Sequence, residues 1–121
     1  MDLPIEARVW NRAAVESGGA TPREGDRALA ALLYAHGLVM NGGVHHALEV
    51  LSLDEIRDAV SGFEFFSLAP VGRLLETAQT LDEDEANRLY WDVIPDDDAI
   101  LSRFRALFHS SPQVFAPVIA G

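Results

Sequence analysis

The stretch VMNGGVHHALEVL, Val39 to Leu51, sets two glycines between runs of helical character and places two histidines directly after them. A phosphate-cradling glycine loop normally follows a strand, opens a helix and enlists a lysine. Here the glycines follow a helical run and have no nearby base. The end of a helix accounts for them better. Gly42 is expected at positive φ just past the last turn, and Gly43 gives the tight turn into the next helix. Asn41, Gly42 and Gly43 therefore form a structural motif, a corner between two helices.

The flanking sequence repeats the helical pattern. Upstream, Thr21-Pro22-Arg23-Glu24 reads as a capping box with proline at the first helical position. The helix it opens carries Leu29, Leu32, Leu33, His36 and Met40 as one inward stripe. Before it, a segment from about Pro4 to Glu16 has Val9, Trp10, Ala13 and Ala14 for an apolar face and stops at Gly18-Gly19. Downstream, Val44 to Leu51 is a short helix, and Ser52-Leu53-Asp54-Glu55 caps another that bears Ile56, Ala59 and Val60 and is expected to stop at Gly62. Phe63 to Leu68 has no second strand-like run to pair with, so it is expected to be a buried connector or helical turn.

Val71, Leu74, Leu75 and Ala78 continue the stripe pattern. Ala86, Leu89, Tyr90 and Val93 follow a third capping signal at Thr80, up to a stop at Pro95. The last long helix is expected over roughly Asp97 to His109 with Ile100, Leu101, Phe104, Leu107 and Phe108, before a final turn at Ser111-Pro112. The expected fold class is all-α, six or seven short helices in one domain spanning residues 1–121. Repeats and separating linkers are absent.

Composition narrows the function. The 121 residues contain no cysteine, which excludes disulfides, thiol chemistry and cysteine zinc sites. No window approaches the roughly 18 to 20 apolar residues of a membrane span, and the start lacks a basic region before an apolar one, so a cytoplasmic protein without membrane attachment is expected. Nineteen acids against nine arginines give a net charge of −10. Much of it lies in one stretch, where Asp82, Glu83, Asp84, Glu85, Asp92, Asp96, Asp97 and Asp98 stand with Arg88 alone as counter-ion. Such a field repels phosphates, which disfavours direct nucleic-acid binding, and attracts basic partners. With 49% hydrophobic residues, a homodimer is also admitted.

Carboxylates at helix starts stabilise the helix dipole and cap free N–H groups, so part of this cluster has a local structural reason. Adjacent carboxylates also repel one another, and eight exceed what two helix starts require. The remainder reads either as a solvated face or as a contact face for a basic protein. The other polar groups are less suggestive. His45 and Glu49 share a helical face at i and i+4, but the spacing falls short of a metalloprotease motif and no third ligand is implied. No serine sits in a nucleophile elbow, so no catalytic residue, metal or cofactor is expected.

Asn41-Gly42-Gly43-Val44-His45-His46-Ala47-Leu48, with Gly62-Phe63, Val71-Gly72-Arg73-Leu74-Leu75 and Ile94-Pro95-Asp96-Asp97-Asp98, resembles the bacterial DNA-mimic protein family, small acidic α-helical proteins long filed as a domain of unknown function. The resemblance covers residues 25–118. It differs at Val44, where an aromatic is usual, and at His46, Ala47 and Leu48, where a glutamine followed by aromatics is usual. It implies a non-enzymatic protein whose surface carboxylates imitate DNA phosphates and occupy the DNA site of a basic regulator. The motif residues are structural, so the assignment of Asp82 to Asp98 as the contact face rests on charge alone. Two alternatives stand beside it. One is an immunity-type protein that covers a toxin's active site, with Trp91 beside Asp92 as an anchor. The other is a ligand or metal binder near the corner, using His45, His46 and Glu49.

Overall fold

The computed structural model describes residues 3–118, and in these the chain forms seven α-helices and two 3-10 turns without a strand. The helices are α1 (Ile5–Glu16), α2 (Glu24–Gly42), α3 (Val44–Val50), α4 (Leu53–Phe65), α5 (Ala69–Thr77), α6 (Glu83–Val93) and α7 (Asp97–Ser110). The all-α expectation holds. No helix among the described residues is long and apolar enough to cross a membrane.

The longest helix, α2, is central and packs on α1, α3 and α4; α4 packs on α5, and α3 and α5 both rest on α6. Leu29, Leu32, Ala35, His36 and Val39 are its buried face, close to the expected stripe. Met40 departs from it and is 54% exposed, because Val39, one residue earlier, takes the inward place. Helix α7 closes the other side through an aromatic cluster. Phe104 lies 5.5 Å from Trp10 and 5.4 Å from Phe115, ring centre to ring centre, and Phe66 and Phe108 complete the group. The spacings suit edge-on and tilted aromatic contacts.

Three local expectations are corrected. Gly62 does not stop α4, which continues to Phe65. A Cβ at Gly62 would stand 2.5 Å from the Ala28 carbonyl oxygen, so the glycine serves the close crossing of α2 and α4 instead of a turn. Helix α2 starts at Glu24, not after a Thr21 cap; Asp26 does the capping, its Oδ2 accepting from the Arg23 amide at 2.9 Å. Likewise α6 is capped by Asp82 and not Thr80, with the Glu85 amide donating to Asp82 Oδ2 at 3.4 Å.

The box at Ser52 and Glu55 is present as expected, with both reciprocal bonds formed.

The C-terminal segment is held by arginines of the first two elements. Asp26 is fully buried; Arg12 donates to its Oδ1 at 2.8 Å and the Ala116 amide donates to its Oδ2 at 2.7 Å. Arg12 also donates to the Ala116 and Pro117 carbonyls, and Arg23 to those of Gln113 and Phe115.

Candidate functional site

The corner that opened the sequence is a junction of α2 and α3, with one change of role between its glycines. Gly43, not Gly42, has positive φ, at 95°. Gly42 remains in the last turn of α2, where a Cβ would stand 2.6 Å from the His46 ring. The Gly43 amide closes α2 by donating to the Val39 carbonyl at 2.7 Å, and its own carbonyl accepts from Ala47 to start α3. Asn87 of α6 holds the corner from outside, its Oδ1 accepting from the Val44 amide at 2.9 Å. Asn41 is exposed. The motif is thus bound to the acidic helix by a hydrogen bond, while its glycines solve backbone problems.

Of the histidines after it, His46 sets its ring against Gly42 and His45 has a hydrogen-bond partner. His45 donates from Nε2 to the Ala78 carbonyl at 2.9 Å, and with Leu48, Glu49 and Gln79 it borders an open cavity of about 330 Å³. Among the described residues, no three side chains of the metal-ligating types are grouped to hold an ion.

All eight acids of the candidate face are exposed, but they divide by what they touch into three groups and, apart from these, Asp97. Asp82 and Asp96 are N-caps of α6 and α7; Asp96 accepts from the Ala99 amide at 3.3 Å. Glu85 and Asp92 flank Arg88 at 4.0 and 3.4 Å, on one stripe of α6, in exposed pairs worth at most about 1 kcal/mol each. Glu83, Asp84 and Asp98 make no ion pair and no side-chain hydrogen bond among the described residues. By position they form two clusters, Asp82 to Glu85 at the start of α6, and Asp92 with Asp96 to Asp98 at and beyond its end. With about 1.5 Å of rise per residue, its 11 residues separate them by roughly 16 Å, so the carboxylates form a row and not one dense patch.

Asp97 is a special member of that row. Its Oδ1 accepts from His36 Nε2 at 2.8 Å, and His36 Nδ1 lies 2.7 Å from the Tyr90 hydroxyl. A carboxylate can only accept, which puts a proton on Nε2 and leaves Nδ1 of the neutral ring to accept from the tyrosine. His36 and Tyr90 are buried, whereas the Asp97 side chain is 70% exposed. Burial, with the nearby Asp97 charge adding to it, pushes the Tyr90 phenol well above its ordinary value of 10.0. The chain Asp97–His36–Tyr90 therefore fixes the first turn of α7 against α2 and α6.

Sequence reasoning missed this chain. Its members are 61 and 54 positions apart, and a histidine on an apolar stripe gives no sign of its partners. Trp91, the anchor of the immunity reading, is half-buried and packs edge-on against Tyr90 at 5.4 Å. No protein-family model, curated protein or solved structure matches this chain.

Proposed function

We propose that this protein is a non-enzymatic acidic binder whose carboxylate row, from Asp82 to Asp98, occupies the DNA site of a basic DNA-binding protein. The observation that carries the reading is the set of exposed carboxylates at Glu83, Asp84 and Asp98 that no cation offsets among the described residues. Capping and the helix dipole explain Asp82 and Asp96, and Arg88 partly neutralises Glu85 and Asp92. Glu83, Asp84 and Asp98 are left over as charge directed at solvent.

Placement of the acids at helix ends, in a row, supports mimicry over a diffuse acidic surface. Duplex DNA carries one charge per about 1.7 Å of axis, so a span of roughly 16 Å corresponds to about nine phosphates. Along that length α6 and its cap carry five carboxylates, Asp82 to Glu85 and Asp92, and one arginine, about half that density, and Asp96, Asp97 and Asp98 extend the row at the start of α7. The carboxylates stand on the first and last turns of α6 and the first turn of α7, and α6 is anchored by buried Ala86 and Tyr90 and by the bond from Asn87 to Val44. A rigid row pays little ordering entropy when it docks.

The test uses Glu83→Gln/Asp84→Asn/Asp98→Asn, which spares both caps and the His36 partner. Wild type and variant are used to retain proteins from the native lysate at low and moderate salt, with duplex DNA as competitor. The expected result is a DNA-binding protein that wild type retains, that DNA and salt displace, and that the variant loses. Retention of a protein indifferent to DNA and to the variant would refute mimicry and favour a shape-specific immunity contact.

A further inference from the structure

A furrow runs along α1, on the side of the molecule where Asp97 emerges. Its larger part, about 460 Å³, lies between α1, α2 and α7 and is walled by Trp10, Leu33, Tyr34, Met40 and Ile100. A smaller part, about 350 Å³, lies between α1 and α7 and reaches Leu101 and Phe104. Trp10 and Asp97 line both, so the two cavities adjoin, with an indole and a carboxylate between them.

Three features mark this furrow as a seat for a ligand. Tyr34 and Met40 are 49% and 54% exposed, an apolar cost that no described segment of the chain relieves. Gly37 lies in its floor, in the middle of α2; a Cβ there would meet nothing within 4 Å, so neither strain nor close packing calls for glycine. Finally, the carboxylate between the two cavities is held in place. His36 binds Asp97 Oδ1, while Oδ2 has no hydrogen-bond partner among the described residues.

Charge selects the occupant. The larger cavity is lined by one carboxylate and no arginine; the smaller has Glu6 and Asp97 against one arginine, Arg105, which pairs with Glu6 at 3.7 Å, so the furrow is net negative in a chain of net charge −10. A second copy would bring its own negative charge to the same place. The length of the furrow, two cavities in series, suits a chain segment better than a compact small molecule. We propose that it seats an amphipathic basic helix of a partner protein, with apolar side chains in the larger cavity and an arginine or lysine on Asp97 Oδ2. This rests on the reading of the protein as a binder of basic partners and adds an apolar anchor to it. Aromatic and arginine contacts at the centre of an interface commonly dominate its affinity.

The test titrates the isotope-labelled full-length protein with a synthetic helical peptide bearing leucines at i, i+3, i+4 and i+7 and arginines on the flanks, and with a counterpart whose arginines are glutamates. The arginine peptide is expected to shift the Gly37 amide, the Trp10 indole and Tyr34. Gly37→Leu, whose Cβ meets nothing within 4 Å and whose side chain takes up space in the cavity, is expected to weaken binding at least tenfold while the variant stays folded. Asp97→Asn is expected to weaken it several-fold and to flatten its salt dependence.

Shifts confined to Glu83, Asp84 and Asp98, or unchanged binding by Gly37→Leu, would overturn the furrow and leave the acidic binder standing. Furrow shifts of equal size with the glutamate peptide would overturn the basic partner itself. Absence of any shift with the arginine peptide would also refute the proposal.

Discussion

Gly37→Ala and Gly62→Ala make the same chemical change inside two α-helices and are expected to move stability in opposite directions. Replacing a glycine in a helix interior by alanine removes backbone freedom from the unfolded chain and gains about 0.5–1 kcal/mol. At Gly37 that gain is kept, because the added methyl meets nothing within 4 Å. At Gly62 the methyl would lie 2.5 Å from the Ala28 carbonyl oxygen and 3.4 Å from the Leu32 Cβ. The first of these atoms is backbone in the middle of α2, so the α2–α4 crossing must open. Overpacking of this kind costs about 1–3 kcal/mol, and a contact so short belongs at the upper end.

The net expectation is a gain of about 0.5–1 kcal/mol for Gly37→Ala and a loss of about 2 kcal/mol for Gly62→Ala. In a chain of this length 1 kcal/mol moves Tm by about 4 °C, so the two variants should melt about 10 °C apart. Thermal unfolding followed by far-ultraviolet circular dichroism, with urea unfolding to confirm an unchanged m value, measures both. Equal melting temperatures would refute the close-approach account of Gly62. A destabilised Gly37→Ala would show that the floor of the furrow is already filled.

Two further outcomes follow from buried polar groups. Asp26→Ala leaves the Arg12 guanidinium, whose Nε is already buried without a partner, and the Ala116 amide uncompensated; a loss of roughly 3–5 kcal/mol is expected, with the Ala116 amide losing its protection in hydrogen exchange. Tyr90 titrates higher in the folded chain than in the unfolded one, so its contribution is complete below pH 10 and is lost as pH rises above it; urea unfolding should show stability falling there by about 1.4 kcal/mol per pH unit for this group, a slope that Tyr90→Phe removes.

The helices were readable because their signals are local. Ser52 with Glu55, Pro95 after α6, and the stripes Val71, Leu74, Leu75 on α5, with Ala78 in the 3-10 turn that follows it, and Ile100, Phe104 on α7 each lie within one or two turns, and each appears in the fold. Errors arose where a distant residue decided the outcome. Gly62 carries the ordinary mark of a helix stop, but its environment is set by Ala28, 34 positions away. Thr21 is a better intrinsic cap than Arg23, yet Asp26 is drawn into the first turn by Arg12 and Ala116 and caps α2 from within. The acids of the candidate face were legible as charge. What each one touches was not, since His36 lies far from Asp97 in sequence and next to it in space.

That division of the acids also predicts how stability should respond when the charges of the proposed contact face are removed. Glu83, Asp84 and Asp98 lie in the first turns of α6 and α7, where each carboxylate gains about 0.3–1 kcal/mol from the helix dipole. Each also stands beside other carboxylates, and like-charge neighbours cost a few tenths of a kcal/mol per pair. The two terms nearly cancel, so Glu83→Gln/Asp84→Asn/Asp98→Asn should change unfolding free energy by less than about 1 kcal/mol. Added salt should weaken the repulsion and narrow the difference from wild type. A loss above about 2 kcal/mol in urea unfolding would mean that the three acids are held by the fold, which would remove the argument that they are surplus charge for a partner. A small change in stability together with a large change in binding is the pattern expected of residues kept for a contact, because the fold itself does not need them.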